Sequence, residues 1–299
     1  MSFYDEIASN KRKSIILVVL FVAFIAFVGY VVGFFYGNSY FGLILAFVVG
    51  IIYFLISYYS GASMILTMTK AKEAKKPQYT YLINTVEGLA IAAGLSKPPK
   101  VYVIEDSALN AFATGRNPEK SAITVTTGLL DKMNRIELEG VIAHEMSHIK
   151  SYDIRIMMLA SVMVGITVLL SDFILRSFLW GRAGRDRDSG GMTVVFIVVG
   201  IVLAILAPLV GEVIKLSISR KREYLADASS AMLTRHPKGL ADALRKIKDD
   251  PDPLVDHANK ATAHLFISTP FRKTKKSFMK NLFSTHPDIN SRIHKLEKM

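Results

Sequence analysis

Long apolar runs alternate with polar segments along the chain. The first two runs, residues 14–35 and 41–59, are uncharged and about as long as the roughly 20 residues that a helix needs to cross a bilayer. Two further runs occupy residues 154–180 and 192–216. The pattern therefore predicts a mostly α-helical membrane protein with four hydrophobic helices, arranged as two hairpins.

The polar segment between the two hairpins combines the periods of helix and strand. Residues 79–93 place apolar side chains on one face of a helix, and Gly94 follows as its end. Short β-rich stretches come next, at residues 101–104, 108–115 and 121–127. We expect a small β-sheet beside helices, which is an α+β arrangement.

The alternation of these patterns divides the chain into four parts. These are a two-helix membrane anchor at residues 1–65, a first polar part at 66–153, a second membrane hairpin at 154–216 and a second polar part at 217–299.

A His-Glu-x-x-His motif lies in the first polar part. His144 and His148 are four residues apart, so on a helix they share one face and both rings can reach one metal ion. Glu145 lies about 100° round the helix and can act on a water molecule instead. Asn134 and Glu137 have the spacing of a capping box that begins this helix. By itself the motif leaves open two solvent-facing histidines on an amphipathic helix.

A catalytic zinc ion needs a third protein ligand and an open position for water. Glu223 and Asp227 are again four residues apart, in the second polar part. One of them can bind the metal while the other holds a histidine ring from behind. From the residues alone, either assignment is open, and so is a simple charged helix face.

The basic residues predict which side of the membrane carries the polar parts. Lysines and arginines cluster before residue 14 and after residue 65, whereas the turn at residues 36–40 is uncharged. Because these residues concentrate on the cytoplasmic side, we expect a multi-pass protein of the cell membrane with a cytoplasmic N terminus. The motifs must meet on one side, so two crossings or none separate them, and we expect two. The polar parts then form a cytoplasmic α+β, zincin-like catalytic domain.

The composition excludes some chemistries and partners. The 299 residues include no cysteine, which excludes disulfides, thiolate metal ligands and a cysteine nucleophile. The formal charge of +12 accompanies 51% hydrophobic residues. Since no nucleic-acid-binding motif is present, we interpret the basic excess as the flanks of membrane helices. The bilayer is the expected partner, and nucleic acid is not.

Four motifs in this order resemble those of the HtpX-type membrane-bound zinc metalloproteases, which are relatives of the CAAX prenyl endopeptidases. These motifs are the strand at residues 110–115, the His-Glu-x-x-His helix at 144–148, the segment at 222–227 and the Ser-Thr-His-Pro sequence at 284–287. The resemblance covers nearly the whole chain. It implies one Zn²⁺ per chain, bound by His144, His148 and Glu223, with Glu145 as the catalytic base and Asp227 behind a ligand.

The resemblance also implies roles outside the metal site. Asn110 and Ala111 would bind the backbone of an extended substrate at the edge of the sheet, although Asn110 also fits a simple turn cap. His286 and Arg292 would stabilise the oxyanion, although His286 also fits a residue that precedes a helix at Pro287.

The function expected from these features is zinc-dependent endoproteolysis. The substrates would be misfolded or damaged membrane proteins, or unfolded polypeptides, as part of protein quality control under stress. A site-specific processing protease of the CAAX prenyl endopeptidase kind is the alternative enzyme. A non-catalytic membrane scaffold with a structural metal is the alternative outside enzymes, and it would need a closed four-ligand site.

Overall fold

The computed structural model describes residues 3–35, 37–163, 220–250, 265–267 and 287–299. Most of the predicted second hairpin at residues 154–216 therefore lies outside the described residues. His286 lies outside them as well.

Two long helices form the N-terminal part. Helix α1 (Phe3–Phe35) and helix α2 (Ser39–Met68) are joined by a short turn, in which the side chain of Asn38 accepts a hydrogen bond from the main-chain nitrogen of Phe41. Within the described residues, these two helices alone are long and apolar enough to cross a membrane, and few of their residues are buried inside the protein. The first two predicted hydrophobic helices are thus confirmed.

A four-stranded mixed sheet follows. Its strands are β1 (Lys72–Glu73), β2 (Lys100–Ile104), β3 (Ala111–Gly115) and β4 (Ser121–Thr126). The order is β1-β2-β4-β3, with β2 and β4 parallel and the other pairs antiparallel, so β3 is an edge strand among the described strands.

Strand β3 begins three residues later than the apolar pattern suggests. Residues 108–110 form a loop instead, because the side chain of Asp106 accepts a hydrogen bond from the Ala108 nitrogen and the hydroxyl of Thr126 donates to the Ala108 carbonyl. Strand β1 has only two residues, which is too short to show a period, and the sequence did not predict it.

Besides a 3₁₀ helix at Pro118–Lys120 and a helical stretch at residues 153–163, the described residues form six further α-helices. They are α3 (Thr80–Ala93), α4 (Thr127–Lys132), α5 (Arg135–Lys150), α6 (Arg220–Thr234), α7 (Pro237–Lys248) and α8 (Ile289–Glu297). The predicted capping box of α5 is confirmed, since the Asn134 side chain accepts from the Glu137 nitrogen at 2.9 Å and the Glu137 carboxylate accepts from the Asn134 nitrogen at 2.8 Å.

The two faces of the sheet belong to different cores. One face packs with α3, α5 and α7 around residues such as Val103, Ala113 and Ile142. The opposite face presents Ile104 and Phe112 to a second core, which also contains side chains of α1, α2 and residues 153–163. The membrane helices are therefore packed directly onto the sheet that supports α5.

The part of helix α5 that carries the two histidines is enclosed on all sides. Every residue from 140 to 149 is buried, including His144, which is 1% exposed, and His148, which is 4% exposed. The structure excludes the alternative of two solvent-facing histidines. Buried polar rings of this kind need partners, because an unpaired polar group costs free energy in an apolar interior.

Gly140 is the point at which α5 meets the start of α7. A Cβ added at Gly140 would lie 2.7 Å from the main-chain nitrogen of Leu240, which is backbone and cannot rotate away. We expect Gly140→Ala to lower the free energy of unfolding by about 1–3 kcal/mol. The measurement is the thermal midpoint of the protein purified in detergent.

Gly88 provides the control for this prediction. It is exposed on α3 with no heavy atom within 4 Å of its added Cβ. Gly88→Ala should be neutral or stabilising by up to about 1 kcal/mol, because alanine is the better helix former. Equal midpoints for the two variants would contradict the close contact between α5 and α7.

Candidate active site

Helix α5 holds two histidine rings against each other. His144 and His148 lie one helical turn apart, with ring centroids 4.8 Å apart and planes at 86°. Their Nε2 atoms are 3.2 Å apart. Two ring nitrogens so close together, both pointing to the same space, can share one cation.

Helix α6 brings a carboxylate to the same place. Glu223 lies with Oε1 3.5 Å from Nε2 of His148 and Oε2 3.8 Å from Nε2 of His144. Two atoms that each bind a tetrahedral zinc ion at about 2.0–2.1 Å are about 3.4 Å apart. The three observed separations lie near that value, so His144, His148 and Glu223 can hold one metal ion.

Asp227 lies behind the first histidine. Its Oδ1 is 3.0 Å from Nδ1 of His144, on the side of the ring away from Glu223. A carboxylate in this position fixes the orientation of the ring and favours the tautomer that carries the proton on Nδ1. Of the two acidic residues that the sequence offered as a third ligand, the structure places Glu223 beside both Nε2 atoms and Asp227 beside Nδ1.

Arg292 joins these acidic groups from α8. Its Nε donates to Asp227 Oδ2 at 2.9 Å and its Nη2 to Asp227 Oδ1 at 2.6 Å, and its Nη1 lies 3.4 Å from Glu223. The guanidinium is 1% exposed. Burial alone would raise the pKa of Asp227, but the charge of Arg292 and the contact with His144 outweigh it and hold that pKa below its usual range.

His148 has a carboxylate of its own. Asp153 Oδ2 lies 3.0 Å from His148 Nδ1, and Arg222 Nη1 donates to Asp153 Oδ1 at 2.8 Å. Burial would raise the pKa of Asp153, but Arg222 and then His148 lower it on balance. The sequence reasoning missed both residues. The available signal was a lone acidic residue immediately before an apolar run.

The acidic groups also act on the pKa of His148. Burial alone would lower it. The hydrogen bond to Asp153 and the negative charges of Glu223, Asp153 and Glu145 oppose that effect and raise the pKa of His148 to about 9 without a metal. Glu145 is 2% exposed, and its charge adds to the negative potential at the rings.

The two residues predicted to bind substrate lie at the start of the edge strand β3. Both are buried, and the Asn110 side chain accepts a hydrogen bond from the Ala111 nitrogen at 3.1 Å. The Ala111 carbonyl accepts from the Ile267 nitrogen at 2.9 Å, while the ring of Phe266 packs on that of Phe112 at 5.0 Å. The chain itself thus contacts the edge strand, through Phe266 and Ile267. The substrate-binding role of Asn110 and Ala111 stays a prediction.

Two buried histidines and a distant glutamate around one point, with a second glutamate beside them, form an arrangement typical of metal-dependent hydrolases. The chain belongs to peptidase family M48, whose model, described as "Peptidase family M48", matches residues 76–299. It is a metalloprotease, and together with α1 and α2 this makes it an enzyme of a membrane.

Curated relatives extend over the full length. A "Protease HtpX homolog" from Dictyoglomus thermophilum is 44% identical, over 100% of this chain and 95% of its own. Proteins with the same description from Listeria monocytogenes serotype 4a and Streptococcus thermophilus are 42% and 41% identical, each over 99% of both chains. A crystal structure of Ste24p from S. mikatae aligns with 98% of this chain and 67% of its own, at 20% identity and a TM-score of 0.48.

The raised pKa of His148 predicts that metal binding releases a proton. Below pH 9 the metal-free ring carries a proton on both nitrogens, and Nε2 must lose one before it can bind a cation. The apparent metal affinity should therefore increase with pH up to about 9. Calorimetric titration in two buffers of different ionisation enthalpy measures the protons released.

The experiment should compare pH 7.5 with a pH above 9. We expect release of about one proton from this ring at the lower pH and almost none at the higher. Proton release that is the same at both pH values would contradict the assignment.

Proposed function

We propose that the chain is a zinc-dependent endopeptidase that hydrolyses peptide bonds in misfolded or damaged membrane proteins at the cytoplasmic face of the membrane. The observation that carries this proposal is the convergence of His144, His148 and Glu223 on one point, with Glu145 next along α5. Two imidazoles and one carboxylate are a donor set that catalytic zinc takes, and they leave a fourth position open for water.

The chain's own residues divide the work of hydrolysis. When bound, zinc would polarise the attacking water and the scissile carbonyl. The water oxygen adds to the carbonyl carbon while Glu145 accepts the water proton. Glu145 then passes that proton to the amide nitrogen, and the carbon–nitrogen bond breaks. No covalent enzyme intermediate is required, which agrees with the absence of cysteine.

The oxyanion needs a positive or hydrogen-bonding partner. We assign it to His286, with Arg292 nearby. The guanidinium of Arg292 donates to Asp227 and lies 3.4 Å from Glu223, and we assign to it the electrostatic effect of its positive charge on the oxyanion. His286 would supply the hydrogen bond.

The substrate would lie along the edge strand β3 and add a further strand. Main-chain hydrogen bonds then supply most of the binding, and the side chains of the substrate are selected only loosely. Ala111 is already bonded to Ile267. A substrate strand that pairs at Ala111 must replace this contact, and one that leaves it intact must pair further along β3.

Glu145→Gln separates the metal site from the chemistry. The amide cannot accept the water proton, so peptide cleavage should fall by about a hundredfold or more, with the bound zinc retained. Cleavage of an unfolded substrate, followed by mass spectrometry of the fragments, measures activity, and elemental analysis measures zinc.

Glu139→Gln is the matched control. It makes the same change on the same helix, where Glu139 accepts a long hydrogen bond of 3.4 Å from the Tyr81 hydroxyl. Full activity in this variant is expected. Unimpaired turnover by Glu145→Gln would exclude Glu145 as the base.

The proposed orientation is tested with single cysteines, because the chain contains none. Tyr40→Cys places a thiol at the exposed start of α2, next to the turn that joins it to α1, and Glu119→Cys places one on the exposed surface beside β4. In intact cells a membrane-impermeant thiol reagent should label Tyr40→Cys and not Glu119→Cys. Lysed cells are the control, in which both should react. The reverse labelling in intact cells would place the site outside.

A further inference from the structure

A polar side chain of the first membrane helix reaches the metal site. Asn10 of α1 is 2% exposed, and its Nδ2 donates to Asp153 Oδ1 at 2.8 Å and to the Ser151 carbonyl at 2.9 Å. Its Oδ1 accepts from Arg222 Nη1 at 3.2 Å. Asn10 is 143 residues from Asp153 in sequence, so this contact ties the N-terminal helix to the end of α5.

The carboxylate of Asp153 is fully used by its neighbours. Oδ1 faces Asn10 and Arg222, while Oδ2 faces His148 Nδ1 at 3.0 Å and the Ser151 hydroxyl at 2.8 Å. A carboxylate offers about four acceptor positions, and all of them have a donor here. Its orientation is therefore fixed from four directions, and so is the hydrogen bond that it offers to His148.

His148 is supported in the same way as His144. His144 has Asp227 behind it and Arg292 behind Asp227, whereas His148 has Asp153, with both Arg222 and Asn10 behind it. Arg222 also lies immediately before the proposed ligand Glu223 on α6. The network around Asp153 is therefore linked to two proposed ligands, to His148 through its ring and to Glu223 through the neighbouring residue.

We propose that Asp153 is a positioning residue that holds His148 with Nε2 towards the metal, and that Asn10 sets the position of Asp153. The first membrane helix is then a part of the metal-binding apparatus and not only an anchor. This inference rests on the proposed function, because it assigns the network to the same zinc site. Asp153 and Asn10 touch neither substrate nor reacting atoms, and they act through His148.

Three variants test the inference. Asp153→Asn removes the charge behind His148 with little change of shape, and Asn10→Ala removes the three contacts of the amide. Asn10→Asp is the near-isosteric second variant, which keeps the acceptor for Arg222 and loses the donor to Asp153. Ser14→Ala is the matched control, since Ser14 is 4% exposed one turn further along α1 and its hydroxyl donates to the Asn10 main-chain carbonyl at 2.9 Å, not to the Asp153 network.

The readouts are the metal dissociation constant of the full chain in detergent, by competition with a chelator, and the visible spectrum of the cobalt-substituted protein. We expect Asp153→Asn to raise the zinc dissociation constant about ten- to a hundredfold and both Asn10 variants to raise it about tenfold. The cobalt spectrum should change in the Asp153 and Asn10 variants. Ser14→Ala should match the parent in both measurements.

The double variant Asn10→Ala/Asp153→Asn tests whether Asn10 acts through Asp153. Its zinc affinity should equal that of Asp153→Asn alone, because both substitutions disrupt the same series of contacts, from Asn10 through Asp153 to His148. A purely structural network predicts instead lower thermal midpoints with zinc affinity and cobalt spectrum unchanged, and that result would overturn the inference.

Different results would contradict the proposed function and the role of this network. A parent chain that binds no zinc, or a Glu145→Gln variant that still cleaves, would contradict the endopeptidase itself. Parental zinc affinity in Asp153→Asn and in both Asn10 variants would contradict only the role of this network.

Discussion

Two imidazole rings can bind one cation only if the Nε2 atom of each ring points towards it. Here a buried carboxylate beside Nδ1 holds each ring in that orientation. Asp227 lies behind His144 and Asp153 behind His148, both at 3.0 Å. Buried carboxylates are stable only when they are paired, so each one has its own buried arginine, Arg292 or Arg222. The site is thus two carboxylate–guanidinium pairs that support two rings.

This support draws on parts of the chain that are far apart. Helix α5 supplies the rings, α6 supplies Glu223 and Arg222, and α8 supplies Arg292. Helix α1 adds Asn10, while its side chains and those of α2 pack on the outer face of the sheet. Removing any one element leaves a buried charge or a buried amide without its partner. The membrane helices and the metal-binding residues are therefore parts of one folded unit.

Local features of the site could be predicted from the sequence, because they follow from helical spacing. The pair His144 and His148, and the cap of α5 at Asn134, depend only on neighbours within one turn. Asp153 lies just five residues beyond His148, but between them the chain turns at Tyr152, which takes a left-handed conformation with φ of 63° that helical spacing does not predict. The contact of Asn10 with Asp153 spans 143 residues, and the contact of Ile267 with Ala111 also joins distant parts of the chain, so neither follows from local spacing.

The most direct test of the account is the metal content of the purified chain compared with that of Glu223→Ala, after both are stripped, reloaded with zinc and dialysed. Glu223 is the one proposed ligand that does not belong to α5, so it tests whether the distant carboxylate completes the site. The account predicts one zinc ion per chain in the parent and little or none in the variant. A folded Glu223→Ala protein that keeps one zinc ion with unchanged affinity would contradict it.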